Sequence, residues 1–440
     1  MKKRFFVMAA IIISSHLQAQ NDTTSLDEIV VTANKYPNKS SLTGKVIRVI
    51  TRQQLEKSGG KDLSQLLTEQ TGLYINGANS NPGKDKSVYL RGARVDHTLI
   101  TIDGIPVYDA SGIGGNFDIR NMPIENIERI EILKGSQSTL FGSDAIAGVI
   151  NIITKKGSTS KLGGSAALSY GSNSTIKGSA GINGKQGVID YNAGVTFFDT
   201  KGINEATNKN NQPGTDKDRF TQKAAQANLG FQLNKNIKLQ PYFRYSSLEG
   251  AIDQGAFTDE LDYDYTQKSW QGGLRTEMAF GNLKLNLLYN YNDIDRVYTD
   301  DSIKSRNGFN IWSKGQYKGS EHFIDLFAHI ALNQKLKLTA GTDFRSSSSE
   351  QDYQSVSIYG NSSSQLSSDS LKQTQVSLYA ALNYNNENGF NLELGNRLNI
   401  HSEYGTNDVF NINPSYLIRR RVKIFMNLST GYRTPSLYQL

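Results

Sequence analysis

The sequence predicts a small α+β domain followed by a long antiparallel sheet that crosses a membrane as a β-barrel. Three observations carry this. Up to about Gly157, short β-prone runs alternate with short helical signals. Beyond it, apolar and polar residues alternate with period two over runs of about 10 residues. After the first residues, no stretch approaches the roughly 18 consecutive apolar residues that a spanning helix needs, so any crossing is by strands.

The leading residues set an address. Lys2, Lys3 and Arg4 precede the uncharged apolar run Phe5–Ile13, and polar residues then lead to Ala19. Residues 1–19 read as a secretory signal with cleavage before Gln20, although Leu17 is larger than the small residue usual at that point. The net charge of +7 includes the three cations of this leader, and no basic patch suggests nucleic acid. Cysteine is absent, which excludes disulfides and thiolate metal sites. The 22 tyrosines and 18 phenylalanines in a chain of low mean hydropathy suit an apolar outer band with aromatic girdles and a wet interior better than a soluble core.

Between the leader and Gly157 the elements come in order. Asp27–Ala33 (DEIVVTA) is a short β-prone stretch with an acidic start, tethered by Asn34–Asn38. Such an extended segment can be captured by a partner's sheet edge, where main-chain hydrogen bonds carry load. Thr51–Gln54 and Asp62–Gln65 have capping-box spacing and start two helices. Ser87–Arg91, Thr98–Ile102, Ile127–Leu133 and Val149–Thr154 read as strands, with Asp103-Gly104 a turn after the second. Arg91, Glu128, Arg129 and Glu131 are candidates for buried ion pairs.

After Gly157 the alternation is plain. In Leu283–Asn292 the odd positions are Leu283, Leu285, Leu287, Tyr289 and Tyr291, and lysine and asparagine dominate the even ones. In Phe390–Ile400, Leu392, Leu394 and Leu398 share one face while Asn391, Glu393 and Arg397 share the other. Short turns such as Leu233–Ile237 alternate with long polar connections at 200–221, 246–267 and 347–373, the asymmetry of a barrel between periplasm and exterior. Roughly 14 strand-like segments are present, and the last run, Gly431–Leu440, follows a strand with no closing segment, so the expectation is an incomplete barrel.

Acidic residues gather in two of the long connections: Asp216 and Asp218 in one, Asp253, Asp259, Glu260, Asp262 and Asp264 in the next. Hard cations such as calcium take six to eight oxygen ligands, and two adjacent loops can supply them; solvated acidic loops are the alternative. An enzyme is not expected. No Gly-x-Ser-x-Gly elbow occurs, and the five histidines, His16, His97, His322, His329 and His401, lack metal-motif spacing.

Several runs, in order, resemble those of TonB-dependent outer-membrane receptors: Asp27–Lys35, Tyr89–Gly92, Ile102–Ile105, Ile127–Ile130, Lys134-Gly135, Gly142–Ile153 and Gly431–Leu437. Within that family they are most similar to the cobalamin (vitamin B12) transporters. The resemblance implies an α+β plug domain followed by an antiparallel transmembrane β-barrel of about 22 strands. It divides the chain into a signal (1–19), a TonB box with linker (20–40), a plug (41–157) and an incomplete barrel (158–440). The TonB box would be Asp27, Glu28, Ile29, Val30, Val31, Thr32 and Ala33.

The same resemblance implies a Gram-negative outer membrane protein, a monomeric barrel in outer-membrane lipid. It would be energised by TonB from the periplasmic side, with a surface lipoprotein as a further partner, and would import a scarce nutrient. It places calcium at Asn204, Asp216, Asp218, Asp253 and Asp262, and ligand contacts at Asp85, Ser87, Arg94, Gly112 and Ile113. Asp85 and Arg94 stand where the cobalamin transporters have uncharged residues, and Arg94 suits an anionic ferric siderophore. Cobalamin, a ferric siderophore and a passive gated pore are the readings left open.

Overall fold

The structure is a computed structural model that describes residues 30–31, 35–39, 42–207, 215–257, 259–301, 310–386, 388–419 and 421–439. The leader 1–19 and Asp27, Glu28, Ile29, Thr32 and Ala33 lie outside the described residues.

In the N-terminal domain, β-branched runs form strands and the two capping boxes start helices. Thr51 caps α1 (Arg52–Glu56) and Asp62 caps α2 (Leu63–Thr68), each with its third-position glutamine bonding back. In the second box, Gln65 N lies 2.8 Å from Asp62 Oδ1 and Asp62 N 3.1 Å from Gln65 Oε1. Five strands, β3 (Val46–Ile50), β6 (Thr98–Ile102), β7 (Ile105–Pro106), β8 (Ile127–Lys134) and β9 (Gly148–Thr154), build one sheet in the order β3-β8-β9-β6-β7. Only β6 and β9 are parallel. The β6–β7 turn puts Asp103 at φ 54° and Gly104 at φ 82°, the paired left-handed conformations of a two-residue hairpin. A second hairpin joins β4 (Leu73–Asn76) to β5 (Ser87–Leu90).

The central strand β9 is buried along its whole length, as its unbroken apolar run implies. Ile130, Ile132, Ile150 and Ile152 face a core closed by Leu55, Leu66 and Leu67 from the helices. The alternate residues Leu99, Leu133 and Val149 pack the other way, against Leu288, Phe323, Phe327 and Tyr379 of the large sheet. A period of two therefore both builds this domain and seats it.

The large sheet has 15 strands, one more than the roughly 14 read from sequence. Its order follows the chain: β10 (Gly163–Gly171), β11 (Thr175–Gln186), β12 (Ile189–Thr200), β13 (Phe220–Asn234), β14 (Ile237–Ala251), β15 (Tyr263–Phe280), β16 (Leu283–Asp301), β17 (Asn310–Ala331), β18 (Leu336–Ser357), β20 (Lys372–Asn385), β21 (Phe390–His401), β22 (Gly405–Ile418) and β23 (Val422–Phe425). The short strands β19 (Gly360–Leu366) and β24 (Leu428–Ser429) pair with β18 and β22. All neighbours are antiparallel, and among the described residues the sheet is an open arc around the N-terminal domain.

Alternation sorts the two faces as expected. Along β16, Leu287 and Tyr289 are exposed while Asn290 and Asn292 are buried against the enclosed domain. Along β21, Leu394 and Ile400 face out and Glu393, Arg397 and Asn399 face in. The outer aromatics gather at one height: Trp270 lies 4.3 Å from Tyr245 and 5.6 Å from Phe243, and Tyr291 lies 4.8 Å from His322. That is the girdle of a membrane barrel.

Strand length needs correction. Strands β15 to β18 run 18 to 22 residues rather than about 10. Half of the expected connection at 246–267 and most of that at 347–373 are strand: β14 continues to Ala251, β15 begins at Tyr263, leaving 252–262 as the connection, and β18 runs to Ser357 before the β19 hairpin. Beyond the girdle both faces meet water, so the alternation fades while the cross-strand hydrogen bonds continue.

Leu287 faces lipid near the middle of its band. Leu287→Arg should destabilise the sheet by about 2–4 kcal/mol. Lys284→Gln on the lumen face should change it by no more than about 0.5 kcal/mol. Reversible urea unfolding into phospholipid vesicles reads both.

Candidate functional site

The two ends of the sheet differ. Short turns close one end, and the connections 201–219 and 252–262 crown the other. At the crowned end, the tips of the N-terminal domain and the upper strands enclose a cavity of about 680 Å³. Asp85, Ser87, Arg94, Gly112 and Ile113, the five residues expected to touch ligand, all line it. Ile113 is 68% exposed and forms its raised apolar point. The opposing wall is aromatic. Tyr263, Tyr298, Tyr317 and Tyr353 project from β15 to β18, with Tyr298 lying 6.4 Å from Tyr263 and 6.2 Å from Tyr317. Sequence reading missed these tyrosines, because isolated aromatics near strand ends look like girdle residues until the inward parity is known.

The floor is held by charge pairs and by lysine–carbonyl hydrogen bonds. Arg94 bridges Asp96 at 2.8 Å, Arg296 of β16 bridges Asp109 at 2.8 Å, and Lys86 donates to Gly77 O at 2.5 Å and Asn81 O at 2.9 Å. These are the basic residues among its lining. Burial pulls the Lys86 ammonium pKa down to about 8, against the opposing pull of Asp62. Arg120 pairs with Asp118 at 2.7 Å and Asp85 at 2.5 Å, and also donates to the Gly83 carbonyl. Burial pushes the Asp118 carboxyl up, but Arg120 more than offsets this and holds it below the usual range. Gly319 of β17 lets the wall approach the 109–113 loop; a Cβ there would lie 2.7 Å from Ser111 N.

Beside this cavity the acidic connections meet. Asp218 Oδ2 accepts from Glu205 N at 2.8 Å, Asp253 Oδ2 accepts from Ala206 N at 2.7 Å, and Asn204 Nδ2 donates to Asp259 Oδ1. Asn204 Oδ1, Asp216 Oδ1, Asp218 Oδ1 and Asp259 Oδ2 are buried and accept no hydrogen bond from any described residue. Burial, then repulsion from Asp253 and Asp216, pushes the Asp218 carboxyl up to about 7. Burial and neighbouring carboxylates raise Asp216 and Asp253 in the same direction. Clustered, unsatisfied hard oxygens of this kind fit a divalent cation. Of the five residues expected as ligands, Asn204, Asp216, Asp218 and Asp253 fall here and Asp259 joins them. Asp262 does not. Its carboxylate groups with Glu260 and Asp300 instead, ligand atoms within 4.8 Å of one another, because the turn before β15 carries it toward β16.

At the short-turn end, Val30-Val31 (β1) pairs with Asn38-Lys39 (β2) in a separate two-stranded sheet. The segment between them is no loose tether. Lys35 bridges buried Asp325 at 2.7 Å, and the Tyr36 ring stacks on His329 with centroids 3.8 Å apart. The ion pairs expected at Arg91, Glu128, Arg129 and Glu131 do not bind the domain to the wall. Arg129 and Glu131 pair within β8 at 2.8 Å, and Arg91 and Glu128 are exposed. Arg244–Asp103 (2.6 Å), Arg296–Asp109 (2.8 Å) and Lys45–Glu393 (3.1 Å) make that connection.

A domain enclosed by a sheet, with a paired segment at one end and a cavity at the other, has clear counterparts. Residues 39–149 match the TonB-dependent Receptor Plug Domain model, and residues 163–440 match the TonB dependent receptor-like, beta-barrel model. The chain belongs to the TonB-dependent receptors. It is thus an outer-membrane protein of a family of transporters and receptors, with its plug inside its barrel sheet. It is 25% identical over 426 residues to the vitamin B12 transporter BtuB of Photobacterium profundum, covering 95% of this chain and 64% of that protein. Against BtuB of Vibrio cholerae the identity is 26% over 449 residues, covering 97% and 65%. The chain therefore spans less than two thirds of these relatives. Among solved structures, the ferripyoverdine receptor of Pseudomonas aeruginosa superposes with TM-score 0.73 at 16% identity over 94% of this chain and 61% of that one. The ferric yersiniabactin receptor FyuA of Yersinia pestis gives 0.71 at 14% over 89% and 66%. These likenesses show the fold.

Arg120 is the residue on which the plug side of the cavity depends. Arg120→Met leaves Asp118 buried without its cation and should cost about 3–5 kcal/mol. The expected readouts are a lowered thermal midpoint and faster proteolysis at 80–87.

Proposed function

We propose that this protein takes up a bulky, net-neutral nutrient chelate, cobalamin before others, through the outer membrane with energy delivered by TonB. The observation that carries the reading is the charge balance of the cavity. Lys86, Arg94 and Arg296 are each engaged by an acidic or carbonyl partner, and Asp85, Asp96, Asp109 and Asp118 also line it. A trianionic ferric chelate would have to break such pairs, whereas a neutral macrocycle fringed by amides can lie on the tyrosine wall and bond to Ser87 and backbone groups. The similarity to vitamin B12 transporters over nearly the whole chain supports the same choice. A ferric siderophore is the second reading, favoured by Arg94, whose side chain is 68% exposed.

Calcium belongs to this reading. Asn204, Asp216, Asp218, Asp253 and Asp259 would hold it, and its charge would remove their mutual repulsion and tie the two connections together before ligand arrives. Titration with cyanocobalamin, in excess calcium and then in chelator, tests both parts. Affinity should fall about 5- to 150-fold on chelation. Asp216→Ala with Asp218→Ala should abolish that dependence while the protein still inserts. Tighter binding of ferric siderophores than of cyanocobalamin would replace the ligand assignment.

The β1 segment supplies the handle. It lies at the short-turn end, opposite the cavity, and pairs with only a two-residue strand, so a partner's sheet edge can replace that pairing. Val30→Pro removes a backbone donor. Ligand should still bind at the surface while uptake into cells fails; normal uptake by the inserted variant would rule out this segment as the TonB box.

A further inference from the structure

Glu205 lies in the first acidic connection, yet it faces away from the cation cluster and toward the plug. One carboxylate oxygen, Oε1, accepts from the Ser80 hydroxyl and from Asn81 N at 2.8 Å. The other, Oε2, pairs with Lys84 Nζ at 2.8 Å. Both oxygens are thus engaged by Ser80, Asn81 and Lys84 of one plug loop. A second tie runs beside it: Asn81, 1% exposed, donates its side-chain amide to Asp218 O at 2.5 Å. The loop is braced from within by Lys86, which holds Gly77 O and Asn81 O.

The two ties converge on the cation cluster. Glu205 N donates to Asp218 Oδ2, and Asp218 N donates to Ile203 O at 3.2 Å. Asp218 therefore fixes Glu205 through its carboxylate and Asn81 through its carbonyl. If Ile203 and Glu205 part from Asp218, both attachments of the plug loop are weakened together. The same plug loop continues directly into Asp85 and Ser87 on the cavity floor.

We propose that Glu205 is a positioning residue that couples the acidic cluster to the plug, so that cation occupancy sets residues 80–87 for ligand. This rests on the calcium reading above. A cation that favours the closed connection favours the set loop, and by linkage a ligand that needs the set loop must tighten the cation by the same factor. The Glu205 carboxylate carries one of the two ties, so that tie can be cut without removing a cation ligand.

The test uses the inserted protein, calcium alone, and amide hydrogen exchange. Calcium should slow exchange in the wild type both at 202–207 and 251–257 and in the plug loop 78–86. In Glu205→Ala, the barrel connections should keep their response and that of the plug loop should be at least halved, the Asn81–Asp218 tie remaining, with calcium affinity within about threefold of wild type. Cyanocobalamin titrations should then show the calcium-dependent gain reduced at least fivefold. Glu205→Gln, which still accepts from Ser80 and Asn81, should restore most of it. A plug loop that responds to calcium equally in Glu205→Ala overturns the coupling and leaves the cation site standing. Barrel connections that ignore calcium in the wild type overturn the cation site and the coupling with it.

Discussion

Lipid offers no hydrogen-bond partner, and the rest of this structure follows from the way the sheet answers that deficit. Each strand pairs along its length with its neighbours, in registers that run for 11 to 21 residues at β15 to β21. Fixing the backbone in this way leaves only one freedom, the choice of side chain on each face. Leucine, isoleucine and tyrosine take the outer positions of β16, β17 and β21. Asparagine, serine, glutamate and arginine take the inner ones. The inner face is therefore a polar wall that must itself be satisfied.

The plug satisfies part of it, through polar as well as apolar contacts. Asn292 donates to Tyr108 O at 2.6 Å, Arg244 reaches Asp103, and Lys45 reaches Glu393. One apolar contact, where Leu99, Leu133 and Val149 meet Phe323 and Phe327, sits among these pairs. Buried pairs of this kind give modest net stability, because desolvation offsets much of the attraction. Water can replace them once the interface opens. A domain seated mainly by such contacts can be specific in position and still be removable by force from one end.

The crowned end differs in physics. There the connections leave the sheet and must find their own partners, and carboxylates outnumber donors. Asp216, Asp218 and Asp253 are pushed toward protonation by burial and by one another. That cluster, the tyrosine wall and the arginine-locked floor form a continuous outer surface. The ties from Asp218 and Glu205 to Asn81 and Ser80 join its barrel part to its plug part.

Much of this was legible in the sequence, for a reason that is local. Capping boxes at Thr51 and Asp62 and the Asp103-Gly104 turn depend on residues within a few positions of each other. The parity of β16 and β21 depends only on a period of two. The five cavity-lining residues were named through resemblance, and they converge because short motifs keep their place on a common fold. What the sequence by itself left open was set by contacts between distant segments. It did not show that 246–251, 263–267 and most of 347–373 are strand, since polarity on both faces resembles a loop when its neighbours are unknown. Nor did it separate Asp262 from the other expected ligands, reveal Asp259 beside Asn204 and Asp216, or show Lys35 and Tyr36 anchored 290 or more residues away on β17. Spacing along the chain fixes which residues share a face; only the closed packing of plug against wall decides which charges meet.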